Sequence, residues 1–461
     1  MALSDIETIV IVIMENRSFD HMLGYLSLEG SLPVEGIKSD KVWQASFSNN
    51  YLGRSWELFP IKADSTPCSD PQHDRQSIAT QISKPALKQP SMGGFVESYA
   101  TFSDPIPTEP GAVMGYFNAE SVPTFDFFAK NYCVCDHWYS SVPLGTQANR
   151  LMAMAGESLV LDNAPVLLPD QDLVYDWLTR KNIPWRVYQS GDFLPFFTLM
   201  PSWLPEIASS LTLSQMGMGD RFRRYAQFKD DWQSDRPAPK VMFIEPEYTD
   251  GPHSEPNDDH APTDVRPGQR FLADVYNLLT SNPARWATTL LVVTYDEHGG
   301  FFDHMPPMNV PVKVAGVDLP TTGVRVPAFI VSPFVKAGSV FSGALDHTSI
   351  LQLLDDRFVK GEGYSVAVNL RQQHFNRILN ALIDKPQGGA VPLMPTTEAR
   401  AALGPVAPAA PHTANAQALH QAANKIANEH PELLRDPGWE KLNTYLATSA
   451  PSQNDVLPGK N

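Results

Sequence analysis

Cysteine is nearly absent from this 461-residue chain, which has three, at positions 68, 133 and 135. Three thiols cannot make a disulfide framework, so the core and not cross-links must hold the fold. Cys133 and Cys135 stand two apart in a segment that reads as extended and are expected on opposite faces, which leaves at most one bridge, through Cys68. Basic charge is scarce as well: 35 Lys plus Arg face 51 Asp plus Glu, a net charge of −16. A chain so acidic lacks the broad cationic surface that a nucleic-acid backbone or an anionic membrane requires, so neither is an expected partner. No apolar run approaches the 18 or so residues of a membrane-spanning helix. The start, MALSDIETIVIVIMENRSFDH, has no basic leader, and its apolar run from Ile9 to Met14 is too short for a signal-peptide core. The expectation is a cytoplasmic protein, or one secreted by a signal-independent route.

Apolar residues are plentiful. They make up 43% of the chain and aromatics 10%, enough for a large core, while 41 Pro, 28 Gly and only 19% charged residues suggest many ordered loops on a rigid scaffold. Ile6–Met14, Leu290–Tyr295 and Val326–Val331 are dense in β-branched and apolar residues and read as buried strands. Helix-like stretches at Arg270–Leu279 and Ser349–Phe358 alternate with them, which predicts an α/β fold with a mostly parallel sheet flanked by helices. In such sheets ligands bind beyond the carboxyl ends of the strands. Residues 1–390 read as one catalytic domain. From Gln387 to Asn415 the chain turns rich in Pro, Ala and Thr and reads as a linker, so 391–461 is expected to be a small extension. Within it, Leu419, Ala423 and Ile426 fall at helical spacing, and a second short helix is expected over Trp439–Leu446.

Two strands run directly into polar clusters. The first continues as Glu15-Asn16-Arg17-Ser18-Phe19-Asp20-His21, where a carboxylate beside a carboxamide offers oxygen ligands to a divalent cation. The plain alternative is a helix cap at Asn16 or Ser18 with Asp20 in the first turn. The second continues as Asp296-Glu297-His298-Gly299-Gly300-Phe301-Phe302-Asp303-His304. Adjacent carboxylates in a partly buried setting repel one another unless a cation compensates them.

A third block, Ser140–Arg150, places Thr146 after a glycine and before an apolar helix. A hydroxyl there can attack phosphorus while backbone N–H groups hold the phosphoryl oxygens, or it can simply cap the helix. His73, His260 and His347 lie in further polar loops, and it is their concentration near the strand ends that marks them as candidates.

The strings MENRSFDHMLGYL, SSVPLGTQANR, DDHAPTDVRPGQ, VVTYDEHGGFFDHMPP and VRVPAFIVSPFVKAG with DHTSIL occur in an order that resembles the bacterial phosphoesterase family of phospholipase C and acid phosphatase enzymes. The likeness runs from about residue 6 to about 385. It implies an alkaline-phosphatase-like fold and phosphate-ester hydrolysis through a covalent phospho-enzyme. Carried over by position, Glu15, Asn16, Asp296 and Glu297 match the family's metal ligands. Thr146 matches the nucleophile and a further ligand, and His73 and His260 match groups that contact the phosphoryl oxygens or assist the leaving group. His304 and His347 match additional histidines. The resemblance implies one divalent ion, zinc first, with calcium and manganese also compatible with oxygen ligands. Its wording is closest to a phosphatidylcholine-hydrolysing phospholipase C acting on a phospholipid through transient contact with a lipid surface. An acid phosphatase and an inactive metal-binding relative are the alternatives. Two departures stand out: Pro-Leu-Gly-Thr-Gln-Ala-Asn-Arg replaces the more usual Gly-Pro-Thr-x-Pro-Asn-Arg, and Ala-Pro follows His260 in place of Pro-Pro.

Overall fold

The computed structural model describes residues 2–61, 68–103, 107–191, 194–215, 221–234, 236–251, 256–262, 264–395 and 413–431. Its centre is an eight-stranded sheet. In chain order the strands are β1 (Thr8–Met14), β2 (Cys133–Cys135), β3 (Trp185–Gln189), β4 (Phe222–Arg224), β5 (Val241–Glu245), β6 (Thr289–Tyr295), β7 (Ala328–Val331) and β8 (Ser339–Phe341). Across the sheet they lie in the order β8-β2-β7-β6-β1-β5-β3-β4. β1 and β6 are buried along their whole length, as expected of strands covered on both faces, and they pair in parallel with Ile11 opposite Val292.

β5, β3 and β4 continue the parallel set on one side. On the other side β7 runs antiparallel to both β6 and β2. The chain between β6 and β7 contains no helix. A parallel neighbour needs a crossover, usually helical, so this connection returns the chain in the opposite direction.

Five helices bear on the site: α1 (Phe19–Leu23), α2 (Thr146–Ala155), α3 (Val265–Thr280), α4 (Thr348–Phe358) and α5 (Ala414–Glu429). α3 starts where the Asp264 carboxylate accepts from the Arg266 N–H, and it buries Phe271, Leu272, Val275, Tyr276 and Leu279 along one face. α5 is capped by Thr413 and seats Leu419, Ala422, Ala423 and Ile426 in the same apolar core as the central strands. Pro392 also sits on the main body, where its carbonyl accepts from the Tyr276 hydroxyl at 2.6 Å. The helix expected at Trp439–Leu446 lies outside the described residues. None of the described helices is long and apolar enough to cross a membrane.

The expectation for Cys133 and Cys135 is corrected. Side chains alternate faces with a period of two, so residues two apart share a face, and both of these thiols are buried on β2. All three cysteines are free.

Candidate active site

The end of β1 turns sharply. Asn16 takes a left-handed backbone (φ 61°), which a short polar side chain tolerates, and its N–H donates to Asp296 Oδ1 at 3.2 Å. This turn nests against Gly299, where an added Cβ would come within 2.1 Å of the Asn16 carbonyl oxygen. Only glycine fits there. Two residues on, Ser18 caps α1 by accepting from the His21 N–H, so the capping role belongs to Ser18 and leaves Asn16 free to face the site.

At the end of β6, the Glu297 N–H donates to Asp296 Oδ1, and Glu297 Oε2 accepts from the Gly299 N–H at 2.8 Å. His347 braces this corner from behind. Its Nε2 donates to the Asp296 carbonyl at 2.6 Å, while its Nδ1 accepts from the Trp138 indole at 3.2 Å, which fixes the tautomer. Burial pushes the His347 pKa down to about 4, so the ring is neutral. His347 therefore touches a backbone, not a reacting atom.

Helix α2 brings the hydroxyl. Gly145 is its N-cap and Thr146 its first residue, so the Thr146 side chain does not cap the helix. Its Oγ is buried without a partner. The loop ahead of it is tied down by Asn149, whose side chain accepts from the Val142 N–H at 3.0 Å and donates to the Leu144 carbonyl at 2.7 Å. One turn after Thr146, on the same face, Arg150 reaches Glu15 Oε1 at 3.1 Å and Asp296 Oδ2 at 3.4 Å.

Two imidazoles approach from separate loops, with ring centroids 5.8 Å apart. His73 Nδ1 donates to the Pro71 carbonyl, and its Nε2 lies 3.3 Å from Asn16 Nδ2 and 3.7 Å from Glu297 Oε1. His260 lies with Nδ1 3.1 Å from Glu15 Oε2 and Nε2 3.3 Å from Asp70 Oδ1. Burial opposes charge on both rings. Asp70 and Glu15 overcome it at His260 and raise its pKa well above the ordinary imidazole value, and Glu297 and Asp70 raise that of His73. Burial also pushes Asp296 well above the usual carboxylate range, Arg150 opposing and Glu15 and Glu297 adding to it. Glu15 goes the other way: burial is outweighed by Arg150 and His260, which hold it below its ordinary value.

The structure places His304 in a different cluster. Its Nδ1 pairs with Asp20 at 2.7 Å and its Nε2 with Glu35 at 3.4 Å, and Trp43 and Phe47 pack edge-on against the ring. Arg325 sits in the same cluster, 3.2 Å from Asp20 and 3.0 Å from Asp303. Asp20, Asp303 and His304 are close enough to hold a metal, but the guanidinium already supplies the positive charge there. Among its described contacts, His304 thus has partners other than those around Thr146.

The phosphoesterase family model matches residues 6–359. This chain belongs to the phosphoesterase family. It is 31% identical over 356 residues to non-specific phospholipase C6 of Arabidopsis thaliana, an alignment that covers 74% of this chain and 64% of that one. It is 27% identical over 406 residues to phospholipase C A of Mycobacterium tuberculosis, covering 77% and 73%. The chain thus spans just under two thirds of the length of the Arabidopsis relative. Among solved structures, a protein in the alkaline phosphatase superfamily from Vibrio parahaemolyticus aligns with a TM-score of 0.31 and 13% identity over 51% of this chain and 60% of that chain.

The donor set of this phosphoesterase suits a divalent cation. Asn16 Oδ1, Thr146 Oγ, Asp296 Oδ2 and Glu297 Oε1 are all buried and lack a hydrogen-bond partner. Each such atom costs on the order of 1–3 kcal/mol unless something satisfies it, and buried oxygen donors of this kind are the type that hard cations take as ligands. Glu15 differs, since Arg150 and His260 already engage its two oxygens. Together with Asp258 and His260 it forms a second close donor group.

Three contributors carry no chemical motif of their own: Asp70 and Asp258 lie a few residues before His73 and His260, and Arg150 closes the Ser140–Arg150 block. The signal for Arg150 was its i+4 spacing from Thr146, which puts both on one helix face.

Proposed function

We propose that the protein is a metal-dependent phospholipase C that cleaves phospholipids, phosphatidylcholine first, to diacylglycerol and the phosphorylated headgroup through a phospho-threonine intermediate. The observation that carries this reading is the buried Thr146 hydroxyl, unpartnered at the start of α2 and spared from capping. Asn16, Thr146, Asp296 and Glu297 would hold the ion, with Glu15 beside them, and zinc is the ion proposed. When bound, such an ion lowers the pKa of a coordinated hydroxyl and offsets charge on a phosphoryl oxygen.

Thr146 Oγ attacks phosphorus, and the bond from phosphorus to the glyceryl oxygen breaks. His260 is held protonated by Asp70 and Glu15 and gives its proton to the departing alcohol. The neutral ring then takes a proton from the water that clears the phospho-threonine. His73, between Asn16 and Glu297, is placed to contact the phosphoryl group. The names of the relatives support the phospholipase C reading, and the net charge of −16 suits a headgroup that ends in a cation.

The test compares hydrolysis of a phosphocholine diester with that of a phosphate monoester bearing the same leaving group. Diester preference supports the proposal. Strong monoester preference replaces it with the acid phosphatase reading, and absence of turnover in metal-replete protein leaves the inactive relative.

A further inference from the structure

The family match ends at residue 359, yet α5, more than fifty residues beyond it, ends its approach at the catalytic groups. The Thr413 hydroxyl donates to Asp250 Oδ1 at 2.6 Å, and Asn415 Oδ1 accepts from Gln147 Nε2 at 3.0 Å. Asp250, Gln147 and Asn415 are all buried. Gln147 directly follows Thr146. It is pinned on its other side by the Asn163–Ala164 turn, through its own N–H to Asn163 Oδ1 and a two-way exchange with the Ala164 backbone. Asp250 directly follows Thr249, whose N–H and hydroxyl both donate to the Asp258 carboxylate, two residues before His260.

A helix that merely docked would need only its apolar stripe. α5 has one, in Leu419, Ala422, Ala423 and Ile426, which packs on the Phe196–Leu199 turn and the Leu204–Gln215 helix. The two hydrogen bonds at its start, one buried and one partly buried, are additional. Breaking them would strand buried polar atoms at about 1–3 kcal/mol each, so seating the helix and positioning Asp250 and Gln147 are one event.

We propose that Thr413 and Asn415 are positioning residues: they clamp the His260 loop to the Thr146 helix and so set the spacing between proton donor and nucleophile. The proposal rests on the reading of Thr146 and His260 given above. In-line displacement at phosphorus needs the acid opposite the nucleophile, and misplacement by about 1 Å costs on the order of 100-fold. The clamp therefore matters most where the leaving group needs a proton.

The experiment uses the full chain with Thr413→Val and Asn415→Ala, singly and together, and Thr413→Ser as the conservative variant. Two substrates share the phosphocholine headgroup. p-Nitrophenyl phosphocholine expels a stable phenolate without a proton, whereas monomeric short-chain phosphatidylcholine expels an alkoxide that needs one. The expected result for the double variant is a kcat about tenfold lower on phosphatidylcholine and changed by less than about twofold on the nitrophenyl ester, with KM steady on both. Thr413→Ser should restore the kcat. In an active wild type, equal loss on both substrates, or loss on neither, overturns the clamp alone. A metal-replete wild type that cleaves neither ester overturns the catalytic reading and the clamp with it.

Discussion

Arg150 Nη2 lies 3.1 Å from Glu15 Oε1, and both side chains are almost wholly buried. The guanidinium is fixed from every side. It donates to the Tyr248 hydroxyl and the Ile13 carbonyl, stacks over Phe196 and approaches Asp296. It lies behind the carboxylates, wedged against the end of β1. Three buried carboxylates, Glu15, Asp296 and Glu297, thus face one guanidinium, and the proposed divalent ion would balance the rest.

That balance predicts how the protein behaves when Arg150 becomes Met. Losing one partner of a buried charge pair costs about 3–5 kcal/mol, and the cost should fall mainly on the metal-free protein, where nothing else offsets the carboxylates. Melting temperatures with and without metal should therefore draw further apart in the variant than in the wild type. An equal drop in both forms would mean that Arg150 contributes packing alone.

Thr146→Ala removes the proposed nucleophile and one of four oxygen donors. Metal content should survive, held by Asn16, Asp296 and Glu297, while turnover and the covalent adduct disappear. Intact-protein mass spectrometry of quenched reactions checks both points. Undiminished hydrolysis in this variant would remove Thr146 from the mechanism.

His347→Leu tests the brace behind Asp296. The substitution strands the Trp138 N–H and the Asp296 carbonyl, and loss of a group that orients a ligand typically lowers metal affinity 10–100-fold. Competition with a chelator measures this. Unchanged affinity would show that the Asp296 backbone holds its place without the imidazole.

The His304 cluster predicts a pH effect on stability that is separate from catalysis. Burial opposes charge on His304, but Asp20 and Glu35 raise its pKa from 6.5 to about 9. Its contribution is then fully present below pH 6.5 and is lost as pH rises through 9, a change on the order of 3 kcal/mol. Denaturant midpoints should fall across that window in the wild type, and His304→Gln should flatten the fall. A wild-type midpoint that holds steady from pH 6.5 to 9.5 would contradict the pairing.

Much of the scaffold could be read from periodicity. Ile6–Met14 and Leu290–Tyr295 are apolar on both faces, and only strands inside a covered parallel sheet need that pattern. β7 was legible as a strand but not in its direction, which depends on the helix-free connection from Tyr295. At the site, the carboxylates that follow each strand stood out because charge directly after a buried run demands compensation. The difference between His260 and His304 was hidden, since each follows an aspartate in a polar loop. Only the tertiary partners, Asp70 and Glu15 for one, Asp20 and Arg325 for the other, tell them apart. The spacing of Leu419, Ala423 and Ile426 marked a helix, but no local pattern could show that Thr413 and Asn415 reach Asp250 and Gln147 from the far end of the chain.

The most direct measurement of the central claim is a product analysis of phosphatidylcholine hydrolysis, with bound metal determined on the same sample. The expected result is about one divalent ion per chain and release of diacylglycerol and phosphocholine in equal amounts, with Thr146→Ala abolishing release of both products and leaving the ion in place. A fully metal-loaded protein that releases neither product, or releases inorganic phosphate from monoesters alone, would contradict it.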